Sequence, residues 1–487
     1  MEKKLEQLIA AIKPVKIIGG IEKTITDLVC DSRKVTPGAL FVAVRGVSID
    51  AHQYIQQVVA TSGAVAVVCE TIPAVRSDKA TYIQVDNSAQ SLALLANEWF
   101  DRPSEKLKLV GVTGTNGKTT TATLLYEMAE YMGFKAGLLS TVRNIVHKTV
   151  YEAKQTTPDS LSLNALLRQM VDEGCEYAFM EVSSHACVQY RIDGIQFAGG
   201  IFSNLTRDHL DYHLTVANYI AAKKRFFDLL GENAFALVNA DDKNGLVMLQ
   251  NTRARRRTYS LRTMADYMTK IIETRMNGTT LSINNHEVNV LFTGRFNAYN
   301  LTAVFGAAVE LGLPIEDVLV KMSMLVPVAG RFQTMQSRRG YTAIVDYAHT
   351  PDALDNVICA IRDIIGKNAN IITVVGAGGN RDSGKRPLMA AMAANLSDKV
   401  VLTSDNPRFE DPEAILADME QGLNDEMRTR TVKIADRREA LKTACGIAQP
   451  GDVVLVAGKG HENYQEIKGV KHHFDDKEEI EAIFAAE

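Results

Sequence analysis

Apolar runs and amphipathic stretches alternate along most of the chain. From residue 107 onward, short β-branched runs are followed by segments whose apolar residues recur at the spacing of a helix. This alternation is typical of a mostly parallel sheet with helices on its faces. The pattern therefore predicts an α/β fold, preceded by shorter β-branched runs and turns in residues 1–104.

Nine apolar runs are predicted to be strands, namely 107–113, 136–140, 177–182, 197–203, 235–239, 341–347, 369–376, 399–405 and 452–458. The segment after Lys118 is predicted to be a helix that reaches Met132, and the acidic tail at 475–484 a terminal amphipathic helix. The last four strands form a second doubly wound unit. In such sheets, ligands bind at the carboxyl ends of the strands.

The length of the chain predicts several domains, because 487 residues exceed one ordinary hydrophobic core. Pro, Ser and charged residues make 100–106 typical of a linker, and the central unit that follows is expected to end near 326–332. We therefore predict a smaller N-terminal α/β domain over 1–104, a central domain with a mostly parallel sheet over 105–328, and a C-terminal doubly wound α/β domain over 329–487.

The composition is that of a globular protein, with 46% hydrophobic residues, 23% charged residues and a net charge of −4. This charge favours neither nucleic acid nor an anionic membrane as a partner. No apolar run approaches the roughly 18 residues that span a bilayer, so we expect no membrane insertion. The six cysteines are scattered without a C-x-x-C pair, which favours reduced thiols. We expect a cytoplasmic monomer.

The stretch L-V-G-V-T-G-T-N-G-K-T-T-T at 109–121 places a glycine-rich turn between a predicted strand and a predicted helix. Its end matches the phosphate-loop pattern G-x-x-x-x-G-K-[ST], but Val112 stands where the first glycine is expected. Backbone N–H groups at such a helix start bind phosphate. We predict that Lys118 reaches the β- and γ-phosphates and that Thr119 or Thr120 holds Mg²⁺. A GTPase-type switch is a competitor, but no N-K-x-D string occurs.

Polar residues cluster at the ends of two further predicted strands. Glu181, Ser183 and His185 lie at the end of one, and His209 follows the other. A carboxylate and an imidazole at neighbouring strand ends, beside a phosphate loop, can hold a divalent metal. Taken separately, Glu181 is as readily a salt-bridge partner and His209 a loop histidine.

Lys223 lies in a predicted helix, fourteen residues after His209. A lysine in this setting is usually solvated. If it pointed inward toward Mg²⁺, like-charge repulsion would depress its pKa, and a neutral amine reacts with CO₂. The resulting carbamate is a carboxylate-like metal ligand, but residue spacing alone does not propose this modification.

Several strings occur together in this chain: G-T-N-G-K-T, E-V-S-S-H, N-L-T-R-D-H-L-D, A-A-K and the N-terminal D-S-R-K-V-T-P-G-A-L-F-V-A-V-R-G. In this combination the chain resembles the Mur ligase family over essentially its whole length. That family comprises ATP-dependent enzymes that build the stem peptide of peptidoglycan, and Val at the first glycine position belongs to its own form of the phosphate loop. The resemblance implies an amide ligase that uses ATP and Mg²⁺.

The resemblance also implies roles for residues that match the family's motifs. The implied ATP-binding residues are Thr113, Gly114, Thr115, Asn116, Gly117, Lys118, Thr119, Thr120, Asn297, Asn300, Arg331 and Asp346. The implied ligands of a UDP-N-acetylmuramoyl dipeptide are Ser32, Thr156, Thr157, Ser183, Gln189 and Arg191. The implied catalytic residues are Lys118, His209 and Lys223, and the implied metal ligands are Thr119, Glu181, His209 and Lys223 as a CO₂-derived carbamate.

The string D-N-P-R at 405–408 bears on the amino acid that is added, because it resembles family members that add meso-2,6-diaminopimelate. Diaminopimelate is lysine with a second carboxylate at its far end, and Arg408 offers that carboxylate a bidentate partner. The implied diaminopimelate-binding residues are Arg381, Asp405, Asn406, Pro407, Arg408, Gly458 and Glu462. The alternative interpretation of Arg408 is a surface salt bridge with Glu410 or Asp411.

Three other functions remain open at this point. The nearest is the same reaction with L-lysine as the acceptor, although lysine would leave the Arg408 guanidinium unpaired. Folylpolyglutamate synthetase shares the phosphate loop and the lysine, but it is not expected to carry D-S-R or D-N-P-R. The most distant alternative is a non-synthetic ATP-binding switch, which would bind ATP without consuming it.

Overall fold

The structure of the protein is a computed structural model that describes residues 1–46 and 49–487. Within these residues, three sheets of five or more strands are packed against helices. They use residues 16–84, 108–290 and 333–457. Since their neighbouring strands run mostly parallel, the predicted α/β fold class is confirmed.

The N-terminal elements are β1 Lys3–Lys4, α1 Leu5–Ala10, β2 Lys16–Ile18, β3 Thr24–Ile25, β4 Asp27–Val29, β5 Ala39–Val42, α2 Ile55–Ala60, β6 Ala66–Cys69, β7 Thr81–Gln84 and α3 Ser88–Trp99. Five strands form a sheet in the order β2-β7-β6-β5-β4, in which only β2 is antiparallel to its neighbour. Short 3₁₀ helices span Ser32–Lys34, Ala51–Tyr54, Pro103–Lys106 and Ser383–Lys385.

The central elements are β8 Lys108–Thr113, α4 Lys118–Tyr131, β9 Ala136–Leu139, β10 Arg143–Val146, β11 Thr149–Glu152, α5 Ser160–Asp172, β12 Tyr177–Glu181, α6 Ser184–Val188, β13 Gly199–Phe202, α7 Leu210–His213, α8 Val216–Asp228, β14 Phe235–Asn239, α9 Gly245–Met248, β15 Arg255–Ser260, β16 Tyr267–Arg275, β17 Gly278–Ile283, β18 His286–Val290, α10 Arg295–Glu310 and α11 Ile315–Met322. The sheet order is β11-β10-β9-β12-β8-β13-β14-β15-β16-β17-β18. Its seven middle strands are parallel, and an antiparallel hairpin extends each edge.

The C-terminal elements are β19 Gln333–Gln336, β20 Thr342–Asp346, α12 Pro351–Ile365, β21 Ile371–Ala377, α13 Arg386–Leu396, β22 Lys399–Ser404, α14 Pro412–Glu420, α15 Asp425–Thr429, β23 Thr431–Lys433, α16 Arg437–Ile447, β24 Val453–Ala457, β25 Tyr464–Ile467, β26 Val470–His473 and α17 Asp476–Ala486. The sheet order is β19-β20-β24-β21-β22-β23, and only β19 is antiparallel. The hairpin β25–β26 stands outside this sheet.

Strand β8 shows why the predicted strands are apolar throughout. Leu109 and Val110 are both fully buried, and they belong to hydrophobic cores on opposite faces of the central sheet. Burial of such a side chain contributes about 1.5–3 kcal/mol, so a strand covered by helices on both faces favours apolar residues at every position. The carboxyl end of β8 is therefore held rigidly where the glycine-rich loop begins.

Two further observations bear on the sequence predictions. All six cysteines are free thiols. None of the helices in residues 1–46 and 49–487 is both long enough and apolar enough to cross a bilayer.

Candidate active site

The glycine-rich loop joins the carboxyl end of β8 to the first turn of α4. Gly117, which precedes α4, has a φ of 87°, a conformation that L side chains rarely adopt. A Cβ atom at Gly117 would collide with Oδ1 of Asn300, and one at Gly114 would collide with Oγ of Ser203. The loop therefore requires glycine at both positions. Val112 is buried inside β8 and lies before the turn, so the phosphate loop does not need a glycine there.

Lys118 is the first residue of α4, and its side chain folds back over the loop. Its Nζ donates to the carbonyl oxygens of Gly114 and Thr115, at 3.0 and 2.9 Å. Burial lowers the pKa of Lys118, and the negative charges of Glu181 and Asp208 oppose that shift. The Lys118 side chain therefore lies where a bound phosphate would replace its two uncharged carbonyl partners with a charged oxygen.

Glu181 ends β12, and its side chain is buried. Its Oε1 accepts a hydrogen bond from Oγ1 of Thr119 at 2.9 Å, so two of the predicted metal ligands are in direct contact. Thr120, the next residue of α4, lines the same cavity as Thr119. Carboxylate and hydroxyl oxygens are hard donors of the kind that Mg²⁺ prefers.

Lys223 points inward from α8 and is 1% exposed. Its Nζ donates to the carbonyl oxygen of Gly114 at 2.7 Å and lies 4.5 Å from the centre of the Tyr219 ring. Burial, followed by the nearby charge of Lys118, lowers the pKa of Lys223 well below its ordinary value. The structure thus creates the condition under which a lysine amine is neutral and nucleophilic.

His209 precedes α7 and has a left-handed φ of 54°. Its ring lies 6.4 Å from the ring of Tyr219, the residue that also contacts Lys223, and its Nε2 lies 3.4 Å from Asp208. Burial lowers the pKa of His209 to about 4. A neutral imidazole is the form that binds metal ions.

The predicted donors fit Mg²⁺ chemistry through their oxygen atoms. Among the described residues, no group of three or more His, Cys, Asp or Glu side chains is arranged to hold a metal ion. Glu181 and His209 supply one carboxylate and one imidazole, so further donors would have to come from the Thr119 hydroxyl and a carbamate on Lys223. Burial and the nearby charge of Lys118 lower the pKa of Lys223, which is the direction that carbamate formation requires.

Four of the residues predicted to bind the muramoyl dipeptide form one connected cluster, namely Thr157, Ser183, Gln189 and Arg191. Nη1 of Arg191 donates to the carbonyl oxygen of Thr157 at 2.7 Å, and Nε donates to Oε1 of Gln189 at 3.0 Å. Oγ1 of Thr157 lies 3.3 Å from Oγ of Ser183. Thr156 lines the cavity described below.

Two contacts connect this cluster to its neighbours. Oγ1 of Thr157 donates to the main-chain oxygen of Glu181 at 2.8 Å, which joins the cluster to the metal side of the site. On the other side, the Cys30 thiol of the N-terminal part lies near the carboxylate of Asp159. Burial and this nearby charge raise the pKa of Cys30 to about 11. Ser32 follows Cys30 by two residues, at the start of the 3₁₀ helix after β4.

A cavity of about 790 Å³ lies between the central and C-terminal sheets, within the size range of ligand sites. Its lining includes the predicted residues Thr115, Asn116, Gly117, Lys118, Thr119, Thr120, Thr156, Glu181, His209, Asn300, Arg331 and Asp346. Asn297 is buried behind Asn300, whose Nδ2 donates to Oδ1 of Asn297 at 3.3 Å. Asn297 is therefore placed to orient Asn300.

Arg331 crosses the cavity from the C-terminal part of the chain. Its Nη2 donates to Oγ1 of Thr119 at 3.3 Å, and its guanidinium lies 4.4 Å from the centre of the Tyr347 ring. Burial raises the pKa of Asp346, and the charge of Arg331 opposes that shift. Oδ2 of Asp346 also accepts from the N–H of Phe332 at 2.7 Å. These contacts hold the C-terminal sheet against the phosphate loop.

Three residues that support the site, Asn204, Asp352 and Thr141, were not predicted from the sequence. The N–H of Asn116 donates to Oδ1 of Asn204 at 2.9 Å, and its side-chain amide donates to Oδ2 of Asp352 at 2.9 Å. The N–H of Thr141 donates to Oε1 of Glu181 at 2.7 Å. Asn204 and Thr141 follow strands β13 and β9 at the same edge of the sheet, and this position was the signal that could have identified them.

The residues predicted to bind diaminopimelate gather where β22 and β24 end. Nδ2 of Asn406 donates to Oε2 of Glu462 at 2.7 Å. The fully buried Nζ of Lys459 lies 3.6 Å from Glu462 and 3.7 Å from Asp405. Burial, followed by the charge of Asp405, raises the pKa of Glu462, and the charge of Lys459 opposes that shift. The carboxyl groups of Asp405 and Glu462 are the acceptors in this cluster that suit a substrate ammonium.

Arg408 stands beside this cluster, and its side chain is 20% exposed. Its Nη1 donates to the carbonyl oxygen of Gly379 at 2.8 Å, and its Nε lies 3.4 Å from Oε2 of Glu466. Glu410 instead pairs with Arg386 at 2.8 Å. The alternative interpretation, a surface salt bridge between Arg408 and its acidic neighbours in sequence, is therefore wrong.

Two contacts place the remaining acceptor residues. A Cβ atom on Gly378 would lie 3.0 Å from Nη1 of Arg408 and 3.8 Å from Cγ of Arg381, so both arginines flank the same glycine. The N–H of Gly458 donates to the carbonyl oxygen of Asp346 at 3.1 Å. This bond joins the acceptor cluster directly to a residue that lines the cavity.

Comparison with known proteins adds independent information. Three family models match: "Mur ligase family, catalytic domain" over residues 24–100, "Mur ligase middle domain" over 112–308, and "Mur ligase, glutamate ligase domain" over 330–460. A Parabacteroides distasonis protein is 58% identical over 483 residues, and a Bacteroides fragilis protein is 57% identical over 482 residues. Each alignment covers 99% of both chains. The chain belongs to the Mur ligase family.

The two relatives of this Mur ligase share one name, UDP-N-acetylmuramoyl-L-alanyl-D-glutamate–2,6-diaminopimelate ligase. A solved structure whose name is that same ligase is 33% identical, with a TM-score of 0.71. It covers 100% of this chain and 99% of its own. The likeness of this Mur ligase to its relatives therefore extends over all three sheets.

Proposed function

We propose that this Mur ligase adds meso-2,6-diaminopimelate to the D-Glu γ-carboxylate of UDP-N-acetylmuramoyl-L-Ala-D-Glu, at the expense of ATP, in the cytoplasmic synthesis of peptidoglycan precursors. The observation that carries the proposal is Arg408, whose side chain is 20% exposed and lies near Glu462. The hydrogen bond from Gly458 to Asp346 joins this cluster to the cavity. The names of the full-length relatives support the same reaction. In this proposal, residues 1–104 form the domain that binds the uridine nucleotide, residues 105–328 the domain that binds ATP, and residues 329–487 the domain that binds the amino acid.

The reaction begins when the D-Glu γ-carboxylate attacks the γ-phosphate of ATP. An acyl phosphate forms and ADP leaves. Lys118 neutralises charge on the transferring phosphoryl group, and the glycine-rich loop at Gly114–Gly117 offers main-chain N–H groups to the phosphates. Arg331 adds a second cation from the opposite side of the cavity, where it already touches Thr119. Asn300 lies at the adenine end, with Asn297 behind it.

The sugar dipeptide is held from the N-terminal side of the same cleft. Ser32 binds the UDP end, and the cluster described around Arg191 binds the peptide end. Thr157 and Ser183 connect that cluster to Glu181, so the D-Glu carboxylate is presented beside the phosphate loop. The reacting groups are thereby brought together within one water-excluding cavity.

Mg²⁺, when bound, supplies charge neutralisation for the phosphates. Thr119, Glu181, His209 and a carbamate on Lys223 are the residues that would hold it. The carbamate forms when the neutral Lys223 amine adds to CO₂ and releases one proton, which converts a neutral head group into an anionic one. The depressed pKa of this buried lysine is the supporting observation.

The acyl phosphate is consumed when the amine of the amino acid displaces phosphate through a tetrahedral intermediate. Glu462, Asn406 and Asp405 hold the far ammonium, and Arg408 holds the far carboxylate, with Arg381 beside it. L-lysine has no second carboxylate to offer Arg408, so the complex would lose a hydrogen bond between charged groups that contributes about 1.5–3 kcal/mol. Glu466 would remain the acidic neighbour of the guanidinium. The enzyme is expected to discriminate against lysine because this hydrogen bond is lost.

The test is ATP-dependent phosphate release by the purified protein with Mg²⁺ and the muramoyl dipeptide, in parallel reactions with meso-diaminopimelate and L-lysine. We expect kcat/KM to favour meso-diaminopimelate by about 10²-fold or more. Arg408→Met should raise the KM for meso-diaminopimelate by about 10–100-fold, the value of a hydrogen-bonded charge. Arg275→Met is the control, since Arg275 pairs with Glu273 on a distant strand. Equal use of lysine would refute the proposal, and ATP binding without substrate-dependent release would indicate a non-synthetic switch.

A further inference from the structure

The main chain of Arg408 adopts a conformation that arginine rarely takes. Its φ is 52°, in the left-handed region. Non-glycine residues in this region are uncommon, and they persist where the surrounding structure enforces them. The conformation of Arg408 therefore needs an external cause.

The cause is the hairpin β25–β26, which stands outside the C-terminal sheet. The N–H of Arg408 donates to the carbonyl oxygen of Glu466 at 2.9 Å, and the N–H of Lys468 donates to the carbonyl oxygen of Arg408 at 2.6 Å. These bonds form a parallel bridge between Arg408 and Ile467. Both main-chain groups of Arg408 are thus held by one strand of the hairpin and its turn.

The turn itself is suited to a rigid hairpin. Lys468 and Gly469, the two residues between the strands, have φ values of 49° and 78°. Positive φ at both central positions is the signature of the tight turns that match the twist of paired strands. The hairpin is therefore a stiff support rather than a loose loop.

The hairpin also fixes the residues before Arg408. Nε2 of Gln465 donates to the carbonyl oxygen of Asp405 at 2.8 Å, and the N–H of Glu466 donates to Oδ1 of Asn406 at 2.9 Å. The buried Nζ of Lys459 donates to the carbonyl oxygen of Tyr464, which ties the start of the hairpin to the end of β24. The bonds from Gln465 and Glu466 act directly on the D-N-P-R segment, and the bond from Lys459 anchors the hairpin that makes them.

The guanidinium of Arg408 is held on two sides before any ligand arrives. Gly379 accepts from Nη1, and the carboxylate of Glu466 lies near Nε. Ordering a free arginine side chain costs about 2 kcal/mol of rotamer entropy. Because the Arg408 guanidinium is already fixed, this cost is not incurred again when the ligand binds. Nη2 is left to face an incoming carboxylate.

We propose that the hairpin Tyr464–His473 is the positioning element that sets Arg408 for recognition of the far carboxylate of the amino acid, and that Gln465 and Glu466 are its specificity-determining positioning residues. This inference rests on the proposed function. Gln465 fixes the main chain of the D-N-P-R segment through its bond to Asp405, and Glu466 fixes the plane of the Arg408 guanidinium through its contact with Nε.

The test compares steady-state kinetics of Gln465→Met, Glu466→Gln and the wild type. Methionine keeps the length of Gln465 without its N–H donor, and glutamine keeps the shape of Glu466 without its charge. We expect the KM for meso-diaminopimelate to rise about 3–10-fold in each variant. The rise reflects the loss of one partly exposed polar contact and the less precise orientation of Arg408 that follows. The KM for ATP and the melting temperature should stay at wild-type values, and the preference over L-lysine should fall.

His472→Ala is the matched control, because His472 is exposed on the other strand of the same hairpin. An unchanged or lower KM for meso-diaminopimelate in Glu466→Gln would overturn the inference, as would an equal rise in the KM for ATP. If Gln465→Met fails to fold, Glu466→Gln decides alone, since its main-chain bonds are intact. A wild-type enzyme that does not use meso-diaminopimelate would instead defeat the proposed function itself.

Discussion

Two ion pairs on the same two helices allow the effect of burial to be measured directly. Arg437 and Asp476 join α16 to α17 with both side chains 0% exposed, and Nε and Nη2 each donate to one carboxylate oxygen at 2.7 Å. Arg438 and Glu479 are the next pair on the same helices, with comparable distances of 2.7 and 2.6 Å. Their side chains are 53% and 18% exposed. The two pairs share geometry and differ in solvent access.

The substitution Asp476→Asn is expected to destabilise the C-terminal domain by about 3–5 kcal/mol, because the Arg437 charge stays buried without its counter-ion. The carbonyl oxygens of Ser404 and Ala457, at 3.3 and 3.1 Å, remain as its other partners, and they carry no net charge to replace the carboxylate. The substitution Glu479→Gln removes the charge from an exposed pair and should cost at most about 1 kcal/mol.

The assay is hydrogen exchange of the amides of β22 and β24, followed by mass spectrometry at increasing urea concentrations. These strands end at the two carbonyl groups that Arg437 holds, so their opening free energy reports on the pair. A local probe is needed because a protein of three domains does not unfold in one two-state step. Equal losses in Asp476→Asn and Glu479→Gln, or a loss below about 1 kcal/mol in the former, would refute the reasoning.

Three further predictions concern the central domain. Gly117→Ala should weaken ATP binding at least about tenfold because its Cβ collides with Asn300. Gly133→Ala is the control and should not weaken binding, since Gly133 also has a positive φ, 88°, but open space around it. Titration with a fluorescent nucleotide compares the two variants. Burial raises the pKa of Glu127 to about 7, so the stability it contributes at low pH is lost as the pH rises through that value. Glu127→Gln should therefore be more stable than the wild type by about 1–2 kcal/mol at pH 8, with no gain at pH 5. The measurement is the opening free energy of the α4 amides by hydrogen exchange at increasing urea concentrations. Removal of dissolved CO₂ should lower wild-type phosphate release and bicarbonate should restore it, while Lys223→Gln should be inactive and unresponsive to bicarbonate.

The strands that the sequence predicts well are those buried on both faces. All nine predicted runs contain a strand of the structure, because a strand between two helical layers is apolar at nearly every position. Strands β15–β18 were not predicted because exposed or half-buried positions interrupt the buried ones. In Gly278–Ile283 half-buried and buried residues alternate, and β15 begins with two exposed arginines. The hairpin β10–β11 was missed for a similar reason, with β11 exposed throughout.

The candidate site was predictable where one short string contains the chemistry, and less so where distant residues meet. The sequence identified Arg408 and Lys118 because each lies in a compact motif. It did not reveal that Asp352 contacts the phosphate loop through Asn116, because these residues lie 236 positions apart. The inward orientation of Lys223 depends on how α8 packs against β8, which the local pattern of one helix does not specify.

The cavity between the central and C-terminal sheets has a consequence for inhibitor design. Few direct side-chain bonds cross it, among them Arg331 to Thr119 and Asn116 to Asp352, so each lobe contributes only part of its wall. A small molecule that stacked on Tyr347 and displaced Arg331 from Thr119 would hold the central and C-terminal domains apart. Such a compound would stop turnover without resembling a nucleotide, and its potency would depend on the energy of lobe closure rather than on competition with ATP.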